Sequence, residues 1–255
     1  MIKKISILSG YDKKSKKEEF EKVDIFAGEI IALVGVTGSG KTRLISDIEQ
    51  HAYGETPTRR KVLINDIPAP EYFSANYQEQ FIGQVTQNMN FVMDTSVGDF
   101  LKMHAECRGV NKVKAVVEKV LTAANELSGE DFGATDDLTS LSGGQARALM
   151  IADVALISNV SIVLMDEIEN AGIDRLKAFK FLTGYGKISI TSTHDPLMSL
   201  MADRRIVMQG GGIRKVLVTN NTEKELIKKM LIFDSEMQKL RNTIRSGGQV
   251  EKLSG

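Results

Sequence analysis

Residues 35–42 place glycine, lysine and threonine at the spacing G-x-x-x-x-G-K-[ST], which can bind the phosphates of a nucleoside triphosphate. The glycines allow the backbone to turn so that successive amide hydrogens point at phosphate oxygens. Lys41 can reach the β- and γ-phosphates, and the Thr42 hydroxyl can bind a Mg²⁺ ion that bridges them. We therefore predict that this loop contacts the nucleotide, through Gly35, Val36, Thr37, Gly38, Ser39, Gly40, Lys41, Thr42 and Arg43.

Two adjacent acids, Asp166 and Glu167, follow an apolar run that predicts a central strand over 160–165. From the end of such a strand a carboxylate can reach the shell of a bound Mg²⁺, so Asp166 is a candidate metal ligand. His194 follows a second predicted strand, over 188–193. A helix N-cap for the acids and a free surface histidine are the alternatives to a functional role.

A second anion-binding pattern lies at residues 141–145, where Leu-Ser-Gly-Gly-Gln precedes a predicted helix. Serine and glycines at a helix N-terminus can hold a phosphate. We expect this pattern to lie too far from residues 35–42 of the same chain to serve the same site. Its candidate contacts are Ser142, Gly143, Gly144 and Gln145.

The elements that position these motifs alternate between strands and helices. Apolar runs predict strands over 2–8, 21–26, 30–34, 61–64 and 81–87, and a hairpin with a glycine turn over 205–218. Helical spacing dominates from about 95 to 140, where Ser96 and Asp99 stand at capping-box spacing. Strands that alternate with helices around a phosphate loop define an α/β architecture with a mostly parallel sheet.

The C-terminal segment, residues 221–255, predicts an amphipathic helix and a frayed tail. Its apolar side chains repeat at the alternating 4-3 spacing of a heptad seam, namely Leu226, Met230, Phe233, Met237, Leu240 and Ile244. This seam can pack on its own domain or join two subunits, and the spacing leaves both interpretations open.

Composition restricts the class of protein. The 255 residues carry 33 Lys plus Arg and 33 Asp plus Glu, so the formal net charge is zero. The chain therefore lacks the excess of positive charge that is typical of proteins that bind nucleic acid, and we expect no nucleic-acid partner. We interpret the lysine cluster at 13–17 as a solvated loop, and the lone Cys107 as a buried inert thiol in a reducing, cytoplasmic compartment. No apolar window approaches the length of a membrane helix or a signal peptide, so we expect no direct membrane insertion.

Read together, residues 35–42, 141–145 and 166–167 make the chain resemble the nucleotide-binding domain of ATP-binding cassette (ABC) proteins up to about residue 220. The resemblance implies a P-loop NTPase fold of the ABC type. It has a mixed, mostly parallel sheet, an N-terminal antiparallel β part and a helical subdomain inserted at about 88–142. The ABC domain then spans residues 1–220.

The resemblance also implies roles for individual residues. Glu167 is the general base, His194 is the switch histidine at the γ-phosphate, and Lys41 completes the catalytic set. Tyr11 stacks on adenine, and Asp174 is the aspartate of the D-loop. Thr42, Asp166 and Gln87 are the metal ligands, with Gln84 as the competitor of Gln87.

At the level of the assembly, the resemblance implies a homodimer that holds two ATP molecules with Mg²⁺. Each γ-phosphate lies between Lys41 of one subunit and Ser142 and Gly144 of the other. The ATPase would drive a separate transmembrane protein from the inner face of the cell membrane. The helix that follows residues 141–145 and the region before Asp174 depart from the usual ABC pattern, which keeps open a soluble ABC ATPase that acts on a protein or nucleic acid. A P-loop small-molecule kinase is a third possibility, but it would leave residues 141–145 and His194 without a role.

Overall fold

The computed structural model describes residues 2–76, 81–86, 91–158, 160–168, 173–184 and 186–249. The strands are β1 (Lys4–Leu8), β2 (Lys22–Phe26), β3 (Ile30–Val34), β4 (Lys61–Ile64), β5 (Ile67–Pro68), β6 (Ile82–Val85), β7 (Ile162–Asp166), β8 (Ile188–Ser192), β9 (Arg204–Gln209) and β10 (Gly212–Val218). The helices are α1 (Lys41–Glu49), α2 (Ala69–Ala75), α3 (Val97–Cys107), α4 (Val113–Ser128), α5 (Gly143–Leu156), α6 (Arg175–Leu182), α7 (Pro196–Met201) and α8 (Asn221–Arg245), with a 3₁₀ turn at Leu138–Ser140.

Within these ranges the larger sheet has six strands in the order β10-β9-β3-β8-β7-β6. Neighbouring strands are parallel except in the β9–β10 hairpin. All residues of β8 are buried, which is typical of a parallel strand covered on both faces. Because the parallel strands run in one direction, the residues after β3, β7 and β8 meet at one edge of the sheet. This edge carries the phosphate loop, the two acids and His194.

The smaller sheet is antiparallel, with the strand order β2-β1-β4-β5. Buried and exposed residues alternate along β2, because one face of this sheet packs inward and the other faces solvent. The inward face shares a core with the helix that follows the phosphate loop, through Ile5, Ile7, Ile25, Leu44, Ile45 and Ile48. The smaller sheet therefore packs against α1, the helix that follows the phosphate loop.

Helices α3 and α4 lie between β6 and β7 in the chain and pack with α5 around a second core. Ser96 accepts a hydrogen bond from the Asp99 amide at 3.1 Å, so the cap predicted from the sequence is confirmed. The mostly parallel sheet and the antiparallel N-terminal part confirm the predicted fold class. The domain boundaries at 88–142 and 220 stay predictions.

Some local predictions were incomplete or wrong. Cys107 is exposed rather than buried, because it ends α3 away from Leu101 and Ala105, the residues through which that helix enters the core. Asp166 is the last residue of β7 and does not follow it. Strand β5 and helix α2 were not predicted, because both are short and each contains a proline.

Arg60 is a fully buried guanidinium that joins three segments beneath the phosphate loop. Its Nε and Nη2 donate to the Glu18 carboxylate at 3.0 and 2.6 Å, and its Nη1 donates to Asp47 of α1 at 3.1 Å. Nη2 also donates to the carbonyl oxygen of Gly211, in the β9–β10 turn, at 2.9 Å. At most 1% of any of these three side chains is exposed, so their charges compensate one another away from water.

We expect Arg60→Ala to lower the free energy of unfolding by about 3–5 kcal/mol, because it leaves the buried Glu18 carboxylate without a counter-charge and Asp47 with Arg43 alone. Urea denaturation followed by circular dichroism measures the change. Arg214→Ala is the matched control, since Arg214 pairs with Glu19 on the open surface, and it should leave the midpoint nearly unchanged. Equal midpoints for the two variants would contradict the prediction.

Candidate nucleotide-binding site

The phosphate loop connects β3 to α1 through glycines with positive φ. Gly38 and Gly40 have φ values of +75° and +105°, in the left-handed region that favours glycine. A Cβ atom on Gly40 would lie 2.9 Å from the Gly211 Cα, so this glycine also allows close contact with the β9–β10 turn. Helix α1 begins directly after it at Lys41. The loop therefore combines a tight backbone turn with a helix N-terminus, an arrangement suited to phosphate.

Lys41 lies at the centre of the site. Its ammonium donates to the Gly35 carbonyl oxygen at 3.0 Å and lies 3.1 Å from His194 Nε2. That same histidine nitrogen lies 3.5 Å from a carboxylate oxygen of Glu167. Lys41 is buried, whereas Glu167 and His194 are 36% and 45% exposed and can face a bound molecule. The structure thus brings together the three residues predicted to be catalytic.

The backbone at Glu167 is held in an unusual conformation. Its φ is +51°, which is uncommon for a residue other than glycine and costs conformational free energy. The Glu167 amide donates to the Ser192 carbonyl oxygen at 3.0 Å, which anchors this turn to the end of β8. Strain of this kind persists where the surrounding strands determine the conformation, and here it directs a carboxylate toward His194.

Asp166 and Thr42 form the candidate metal site. The Thr42 hydroxyl donates to Asp166 Oδ2 at 3.4 Å, which joins the end of β7 to the start of α1. The other oxygen, Oδ1, is buried and has no hydrogen-bond partner among the residues that the structure describes. A buried carboxylate oxygen without a partner is costly, and a cation bound beside it would remove that cost. These oxygen donors fit Mg²⁺.

The loop that carries Tyr11 packs against the phosphate loop. The Tyr11 ring is partly exposed, and the Arg59 guanidinium lies 5.6 Å from its centroid. Lys13 donates to the Gly38 carbonyl oxygen at 2.6 Å. Residues 13–17 are all exposed, which agrees with the interpretation of this cluster as a solvated loop, and one of its amines also contacts the phosphate loop. A lysine cluster in a sequence gives no signal of which amine reaches a neighbouring loop.

The motif at 141–145 forms the N-terminus of α5. Ser142 accepts a hydrogen bond from the Gln145 amide at 3.2 Å, and the Gln145 side chain accepts one from the Ser142 amide at 2.9 Å. This capping box holds the helix end, while Ser142 and Gly143 are exposed. The motif therefore exposes the N-terminus of α5 to solvent, with the Ser142 hydroxyl donating to Glu130 Oε2 at 3.3 Å.

The remaining predicted residues have different outcomes. Gln87 lies outside the described residues, and its competitor Gln84 lies within β6. Asp174 is the N-cap of α6 and accepts hydrogen bonds from the amides of Leu176 and Lys177 at 3.2 and 3.1 Å. Arg43, in α1, lies 3.2 Å from the Asp47 carboxylate.

Arg175, which follows Asp174, was not singled out in the sequence. Its Nε donates to Asp195 at 2.6 Å, and its Nη2 donates to Asp234 of α8. Burial lowers the pKa of the guanidinium, but the two carboxylates outweigh that effect and the net pKa is raised. Arg175 is therefore held as a cation beside the segment that carries His194.

The family model described as ABC transporter matches residues 21–170, a span that includes the phosphate loop, the 141–145 motif and both acids. The chain belongs to the ABC transporter family. A relative in Methanocaldococcus jannaschii, named an uncharacterised ABC transporter ATP-binding protein, is 48% identical over 246 residues, 96% of this chain and 94% of the relative. Membership of the ABC transporter family confirms the predicted ATP-binding and ATP-hydrolysing function.

Solved structures of ABC proteins share the fold. The structure of cbiO1 from Clostridium perfringens, described as part of an ABC transporter complex, has a TM-score of 0.62 at 21% identity, covering 95% of this chain and 100% of that one. A dimeric ATP-binding cassette bound to ADP and phosphate has a TM-score of 0.61 at 19% identity, covering 85% of this chain and 99% of that one. Among the described residues of this ABC protein, no helix is long and apolar enough to cross a bilayer.

Proposed function

We propose that this chain is the ATPase subunit of an ABC transporter whose membrane-spanning part is a separate protein, and that two copies close around ATP. The observation that supports this most directly is the grouping of Lys41, Asp166, Glu167 and His194 at one sheet edge. The Ser142 helix end supplies a second set of phosphate contacts on the surface. A nucleotide bound between two subunits would contact both sets, the phosphate loop of one subunit and the Ser142 helix end of the other.

Within the site, each group has a role that follows from its position. Lys41 and the amides of the phosphate loop bind the phosphates, and the α1 dipole adds to their positive field. Glu167 accepts a proton from the attacking water, and its contact with His194 orients that carboxylate. Nε2 of His194 lies beside the Lys41 ammonium, the group that binds the γ-phosphate. Tyr11 provides an aromatic face for adenine.

Magnesium fits the residues present. Asp166 and Thr42 would hold the ion, with Gln87 as the third proposed ligand. The buried Asp166 Oδ1 without a partner among the described residues is the observation that supports this choice. When bound, Mg²⁺ supplies positive charge that neutralises the phosphate oxygens.

Two of the related structures support the proposed assembly. One solved relative is a dimer with ADP and phosphate bound, and another is part of a transporter complex. By analogy, we propose that a second copy contributes Ser142 and Gly144 to each site, and that Asp174 lies at the junction of the two subunits. The protein would then act at the inner face of the cell membrane, in the cytoplasm, through its partner.

The test of this function is co-purification of the tagged chain from detergent-solubilised membranes of its own organism. We expect a polytopic membrane protein in the eluate, identified by mass spectrometry. Reconstituting the pair in lipid vesicles should raise ATP hydrolysis above that of the chain alone, and the same pair with Glu167→Gln is the inactive control. Hydrolysis stimulated by DNA, with no membrane protein recovered, would overturn the transporter assignment and favour a soluble ABC ATPase.

A further inference from the structure

Arg175 joins three segments that are far apart in the chain. It is the first residue of α6, directly after Asp174, and its Nε donates to Asp195 at 2.6 Å. On its other side, Nη2 donates to Asp234 in the middle of α8. Arg175 and both carboxylates are 13–14% exposed, so these ion pairs are screened less than surface pairs are. A planar guanidinium suits such a bridge because its donors have a fixed geometry.

Asp195 connects this bridge to the catalytic segment. Its Oδ1 accepts hydrogen bonds from the Leu197 and Met198 amides at 2.8 and 3.1 Å, which caps α7. Its amide donates to the Thr193 hydroxyl at 3.0 Å, which shapes the turn that contains His194. A change in the position of the Asp195 carboxylate therefore alters the turn from which His194 reaches Lys41 and Glu167.

Helix α8 is long but loosely attached. No α8 side chain that the structure describes is fully buried, and Phe233, beside Asp234, is 65% exposed. A cavity of about 480 Å³ separates α8 from the start of α6 and α7, and Met230, Phe233 and Met237 line it. Near the start of α8, Glu223 pairs with Arg205 of β9. At the cavity, Asp234 pairs with Arg175 and reaches the segment that carries His194 only through that guanidinium.

We propose that Arg175 is a positioning residue that couples the C-terminal helix α8 to His194, so that the rate of ATP hydrolysis depends on where α8 lies. With Asp234 in place, the guanidinium is held between two carboxylates and fixes Asp195. When α8 moves away, Arg175 pairs with Asp195 only and its guanidinium is no longer held from both sides. The Asp195 carboxylate, and with it the turn that contains His194, is then less restrained. The proposal rests on the proposed role of His194 and adds a regulatory input at α8.

The test is Asp234→Asn, which keeps the shape of the side chain and removes its charge. We expect kcat for ATP hydrolysis to fall by about threefold to 30-fold, which lies within the range of energetic coupling between residues that act through a network. The KM for ATP should stay within about twofold, because the phosphate loop is untouched. Glu225→Gln is the matched control, since Glu225 is an exposed acid on the same helix.

Two further comparisons separate positioning from general loss of stability. Arg175→Met and the double variant with Asp234→Asn should have equal kcat, because both remove the same coupling. In a His194→Ala background, Asp234→Asn should change the residual rate by less than threefold. Unfolding midpoints check that each variant is folded.

A kcat for Asp234→Asn within threefold of the unchanged protein, or an additive double variant, would overturn the coupling. That result leaves the proposed function intact as long as the unchanged protein hydrolyses ATP and Glu167→Gln does not. If the unchanged protein and Glu167→Gln hydrolyse ATP at the same rate, the proposed role of the site itself is wrong.

Discussion

Glu167→Gln should bind ATP and hydrolyse it about 10²- to 10⁴-fold more slowly than the unchanged protein, because the glutamine amide cannot accept the proton of the attacking water. The change is nearly isosteric, so contacts with the phosphate loop remain. Since hydrolysis is what opens the proposed dimer, we expect the variant to elute as a dimer when ATP and Mg²⁺ are present. Phosphate release and size-exclusion chromatography measure the two effects.

A control for this result is Glu49→Gln, which changes an exposed acid at the end of α1. It should hydrolyse ATP at the unchanged rate and elute as the unchanged protein does. If Glu167→Gln elutes as a monomer with ATP bound, the sandwich of two copies is wrong for the isolated chain. If it hydrolyses ATP normally, another group is the base.

Mixing two inactive proteins should restore ATP hydrolysis. Lys41→Ala removes a charge-assisted contact with the phosphates, so we expect nucleotide binding to be mostly lost. Ser142→Arg places a large side chain at the exposed N-terminus of α5, where the proposed partner's phosphate enters. Each variant alone should be nearly inactive, because both sites of its homodimer carry the change.

In the mixed dimer, one site carries both changes and the other carries neither. We expect a heterodimer isolated with two different tags to recover up to about half of the unchanged activity, because the two-fold arrangement leaves one intact site. Mixing two batches of Lys41→Ala that carry different tags is the control and should stay inactive. No recovery in the true heterodimer would show that each chain completes its own site.

The motifs that carry chemistry were predictable because they are local. The phosphate loop needs glycines at fixed places between a strand and a helix, and residues 35–42 supply them in consecutive positions. The serine and glycines of residues 141–145, directly before a helix, are equally local, and the structure adds the capping box between Ser142 and Gln145. The two acids, Asp166 and Glu167, were predictable from the apolar run that precedes them, since the direction of a buried strand determines the sheet edge that its last residues reach.

Contacts between distant segments were not predictable in this way. In the sequence Arg60 is one arginine near a turn, and only the tertiary structure brings its guanidinium to Glu18, to Asp47 of α1 and to Gly211 in the β9–β10 turn. The exposure of Cys107 depended on where α3 ends relative to its core face. Arg175 has no motif at all, and its role follows from Asp195 and Asp234 converging on it.

By itself, the sequence determined that this protein binds a nucleoside triphosphate and belongs among ABC ATPases, because the groups that contact phosphate are specified by short-range backbone geometry. Only the tertiary structure decided how Lys41 meets His194 and Glu167, and which carboxylates Arg175 bridges. The physical reason is that charged side chains interact over a few ångströms, and which charges come that close is set by the pairing of strands and the packing of helices.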